Sequence, residues 1–123
     1  MLTNETAPIS KDLAIQKGTT KNYEVRFSKN GATLNITGWT VFFTVKEKMN
    51  DTDSEAKISK TVTTHTNGTS GIAVISLSAT DTNIIPTSYY YDIVVQDNNA
   101  PINRAVILRG RLTIEKTTTR REN

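Results

Sequence analysis

The sequence predicts an all-β chain, an antiparallel β-sandwich of seven to eight short strands with one short helical turn. Two observations carry this. The first is the stretch Ile36-Thr37-Gly38-Trp39-Thr40-Val41-Phe42-Phe43-Thr44-Val45, which holds the only tryptophan and two of the three phenylalanines. Val41, Phe43 and Val45 fall on one face of an extended strand, and Phe42, Thr44 and Lys46 on the other. The second is the spacing: runs of alternating apolar and polar residues recur roughly every 8–12 positions, separated by clusters of Gly, Asn, Asp and Pro.

Residues 1–11 read as a polar N-terminal arm, 12–116 as the folded domain and 117–123 as a polar tail. Strands are expected to begin near Leu13-Ala14-Ile15. Gly18-Thr19-Thr20 turns the chain into a half-buried strand, where Tyr23, Val25 and Phe27 alternate with Glu24, Arg26 and Ser28. Asn30-Gly31 is a hairpin signal, since both residues tolerate φ > 0. The central strand follows, with Trp39 and Phe43 in the core. Residues 49–54 form a polar loop, and 56–64 an edge strand whose Lys57 and Lys60 discourage pairing with another sheet.

After the turn His65–Gly71, Ala73, Ile75 and Leu77 point inward. Ser78-Ala79-Thr80-Asp81 has capping-box spacing, so one helical turn is expected over Ala79–Ile84, stopped by Pro86. Tyr89, Tyr91, Ile93 and Val95 form the next inward row, with Tyr90, Asp92 and Val94 facing away. In the last strand Val106, Leu108, Gly110, Leu112 and Ile114 share one parity, and Arg109, Arg111, Thr113 and Glu115 the other. Gly110 marks a bulge or a close backbone approach.

A chain of 123 residues suits one domain. It has no cysteine, which excludes disulfides and thiolate metal sites. No apolar run reaches the ~20 residues of a membrane helix, and the start lacks signal-peptide character, so a chain made in the cytoplasm without a membrane partner is expected. The net charge of +3 is unevenly spread. From Ile102 onward Arg104, Arg109, Arg111, Lys116, Arg120 and Arg121 face Glu115 and Glu122, a local +4. Residues 47–55 carry Glu47, Asp51, Asp53 and Glu55 against Lys48, a local −3. Taken singly each patch reads as a solvated face; together they suit docking against copies of the chain or a neighbour of mixed charge.

The residues offer no catalytic constellation. His65, the lone histidine, has no motif for an orienting carboxylate or nucleophile and reads as a surface loop residue. Asp51, Asp53 and Glu55 have the i, i+2, i+4 spacing of oxygen ligands but lack the glycine and length of an EF-hand loop, so no metal is expected. The glycines are scattered singly, so there is no phosphate-binding loop and no cofactor or small-molecule substrate is expected. Arg109 and Arg111 share one strand face and read as cross-strand partners or interface residues. They lack the interleaved aromatics and charge density of nucleic-acid binders, so specific nucleic-acid binding is not expected. Tyr90 reads as an exposed side chain that could also serve as a stacking platform.

A set of short motifs in order carries a resemblance: Gln16-Lys17-Gly18-Thr19-Thr20, Asn30-Gly31, Leu34-Asn35-Ile36-Thr37-Gly38-Trp39, Gly71 leading into Ile75-Ser76-Leu77-Ser78, Tyr89-Tyr90-Tyr91-Asp92, and Gly110-Arg111-Leu112-Thr113-Ile114. From about Gln16 to Arg120 the chain resembles the immunoglobulin-like β-sandwich domain at the N-terminus of phage baseplate upper proteins and related modules of tailed-phage structural proteins. It departs from that family at Pro86-Thr87-Ser88, where a glycine is usual, and lacks the long region that follows the family domain. The resemblance implies an immunoglobulin-like sandwich and a small stand-alone virion component without catalytic residues. Its partners would be other virion proteins and copies of itself. Arg109, Arg111, Arg120, Arg121 and Tyr90 are the expected interface residues. The alternative from another class is a carbohydrate-binding or adhesion module.

Overall fold

The structure is a computed structural model that describes residues 9–29, 31–65, 67–97 and 104–116. Its strands are β1 (Ile9–Ser10), β2 (Leu13–Gln16), β3 (Lys21–Arg26), β4 (Ser28–Lys29), β5 (Ala32–Thr33), β6 (Thr40–Lys46), β7 (Ile58–Val62), β8 (Ile72–Leu77), β9 (Ser88–Gln96) and β10 (Arg104–Glu115). The chain is all-β, as the sequence predicts, and seven of these strands have four residues or more. A six-stranded sheet runs β1-β10-β9-β6-β7, with β2 on the same side of β10 as β1. The other pairs are β3 with β8 and β4 with β5.

Alternation sets the layers. Along β6 every second residue is buried, and β9 repeats the pattern over nine residues. Val41, Phe43 and Val45 sit beside Val95, Ile93 and Tyr91 in register. Tyr23 and Val25 of β3 lie opposite Ile75 and Ala73 of β8. The ring of Phe43 stands 6.3 Å from Tyr23 on one side and 5.9 Å from Tyr91 on the other. These contacts bring the β3–β8 ribbon against the buried face of the large sheet. Trp39, Ile36 and Phe27 join the same apolar cluster. Burying an aromatic or branched side chain contributes about 1.5–3 kcal/mol, so this row dominates stability.

The sheet is not wholly antiparallel. β1 and β2 run parallel to β10, with Ile9 beside Leu108 and Leu13 beside Leu112. Alternation has period two in either orientation, so it fixes which face a residue occupies and not the direction of its neighbour. Residues 9–11, assigned to the arm by their polarity, belong to this sheet: Ile9 and Ser10 pair with β10, and the Lys11 amide donates to the Arg109 carbonyl at 2.9 Å. Residues 1–8, the tail 117–123 and Asn30 of the expected hairpin lie outside the described residues.

Two further expectations change. Ser78–Thr82 forms the capping box, with the Ser78 amide donating to Asp81 Oδ2 at 2.8 Å and the Asp81 amide to Ser78 Oγ at 3.1 Å. Two isolated backbone bonds follow, Thr82 N to Ser78 O at 3.3 Å and Asn83 N to Thr80 O at 3.2 Å, and no run of them, so residues 79–82 form a turn and Ala79–Ile84 is not a helix. Pro86 leaves too little chain to repay nucleation. The short 3-10 turns are instead Asp53–Glu55 and Gly68–Ser70. In β10 the register with β9 shifts between Val106 and Leu108. This bulge breaks the single parity expected there: Val106 turns outward while Leu112 and Ile114 stay buried.

Gly110 is a close approach. A Cβ there would collide with the carbonyl of Lys11, where the N-terminal segment passes from β1 to β2 along the edge of β10. Asp12 Oδ1 accepts from the Arg111 amide at 3.1 Å, and Tyr91 donates its hydroxyl to the Lys11 carbonyl.

Candidate functional site

The residues that alternate away from the core form the outer face of the large sheet, and strand register arranges them in cross-strand rows. Lys46, Tyr90 and Arg111 make one row, and Thr44, Asp92 and Arg109 the next. Phe42, Val94 and Val106 follow as an apolar row, then Thr40, Gln96 and Arg104. Each row exists because β6, β9 and β10 are neighbours with fixed pairing. The bulge after Val106 brings the outer parity of β10 into step with that of β9.

Two of the expected interface residues are in direct contact. The Arg111 guanidinium lies 4.4 Å from the Tyr90 ring centroid. Its Nη1 donates to the Tyr90 hydroxyl and its Nε to Ser88 Oγ, both at 3.3 Å. Such a cation–π pair contributes about 0.5–1 kcal/mol at an exposed site, and it fixes a long side chain in one orientation. Arg109, one alternation further along β10, is exposed on the same face beside Asp92. Thr44, Lys46, Met49, Tyr90, Asp92 and Arg109 line a shallow depression of about 100 Å³. That volume is well below the ~300–1,000 Å³ of a small-molecule pocket.

Tyr90, Arg109 and Arg111 are thus assembled on one face, while Arg120 and Arg121 lie outside the described residues. Sequence reasoning missed Met49, which is 68% exposed and borders the depression from the loop after β6. It also missed the outward apolar row, because the bulge that turns Val106 out has no residue signature.

The other candidates have structural duties. The Nε2 of His65 is 2.7 Å from the Trp39 carbonyl, so this half-buried ring pins the start of the central strand. Asp51 Oδ2 accepts from the Lys48 amide at 3.0 Å. Glu55 Oε1 accepts from both the amide and the hydroxyl of Thr52 at 3.0 Å. Those bonds, the backbone one first, hold the Glu55 carboxyl below its usual range. Among the described residues no group of three or more His, Asp or Glu side chains is placed to hold a metal ion. No helix there is long and apolar enough to cross a membrane.

No family model matches the chain, and a search of characterised proteins finds no match.

Proposed function

We propose that this chain is a non-enzymatic structural protein of a tailed-phage virion, in the tail or baseplate, the neck or the capsid surface. It works through protein–protein contacts and is made in the host cytoplasm. The observation that carries the contact part is the outer face of the large sheet. Arginine, tyrosine and methionine, the types enriched at protein interfaces, surround a short apolar row there. The motif order from Gln16 to Arg120 supports the virion part. The resemblance to the phage sandwich modules is the basis for choosing that setting.

The Arg111–Tyr90 stack also weighs against a carbohydrate-binding module. A sugar ring needs a bare aromatic face, and the guanidinium occupies the one Tyr90 would offer. Electron microscopy of phage particles carrying a labelled copy of the chain tests the reading. Label at regular positions on the particle is the expected result. Particles free of label, with the chain left in the lysate, would overturn it.

A further inference from the structure

No further inference is drawn: the strongest candidate, the edge of β3 that faces away from β8 and meets no other strand among the described residues, has nothing in the structure to show what covers it.

Discussion

The hydroxyl of Tyr91 donates a hydrogen bond to the main-chain carbonyl of Lys11, 80 residues earlier in the chain. It reaches past Gly110 from the buried face of the large sheet and holds the link between β1 and β2 at the edge of β10. Burial, then the neighbouring Tyr23 hydroxyl and Asp12 carboxylate, push the Tyr91 phenol up to about 12 from 10.0.

That shift sets an alkaline limit. The folded state keeps the proton that the unfolded state gives up first. The contribution is therefore complete below about pH 10 and is lost as pH rises towards 12, by about 2–3 kcal/mol. Urea midpoints measured from about pH 8 to 12 should fall across that window. Tyr91→Phe should flatten the fall without abolishing it, since burial also raises Tyr23 and Tyr89.

Gly110→Ala should cost about 1–3 kcal/mol, because the new methyl overlaps the Lys11 carbonyl and the backbone must move. Amide exchange locates the effect. The amide of Lys17, bonded to the Glu115 carbonyl at 2.8 Å, should lose protection along with β2, while β6 keeps its own. Unchanged exchange in β2 would show that the link between β1 and β2 tolerates a side chain at Gly110.

Phe43→Ala should lower stability by about 3–5 kcal/mol, since Phe43 is fully buried between Tyr23 and Tyr91. Phe42, one residue earlier and on the outer face, should cost far less in a monomer. Equal denaturation midpoints for the two variants would contradict the register of β6.

Asp81 sets the acid side. Burial alone would raise its carboxyl, but the hydrogen bond from Lys60, 2.7 Å away, and those with Ser78 outweigh it and hold the group below its ordinary 3.8. Its contribution is present above that value and is lost as pH falls through the lower folded one. Asp81→Asn should flatten the acid limb of a melting-temperature profile below about pH 4, at a cost at neutral pH of about 1 kcal/mol for the weakened cap.

Most of the core was legible because burial follows alternation: Phe43, Ile75, Tyr91 and Val95 all lie where their parity put them. Direction and register were not legible. Nothing in Leu13-Ala14-Ile15 says that it runs parallel to a strand 99 residues away. The bulge at Val106 depends on how β9 and β10 twist against each other, not on a residue type. Gly110 was singled out in the sequence, yet what it makes room for could come only from the fold. The candidate face shows the same division. Arg109, Arg111 and Tyr90 share outward parities, but the stack of Arg111 on Tyr90 needs the pairing of β9 with β10.

The position of β10 has a consequence for how the chain is made. It pairs with β9 on one side and with β1 and β2 on the other. While residues 104–115 remain inside the ribosome, β9 has an open edge and residues 9–16 have no strand to join. Closing a contact across 99 residues carries a loop-entropy cost that local hairpins avoid, and contacts of that separation slow folding. The nascent chain can therefore zip β6 to β7 and β3 to β8 early, but it completes its large sheet only once residues 104–115 have emerged. In that interval the open edge of β9 is where a neighbouring nascent chain would pair wrongly.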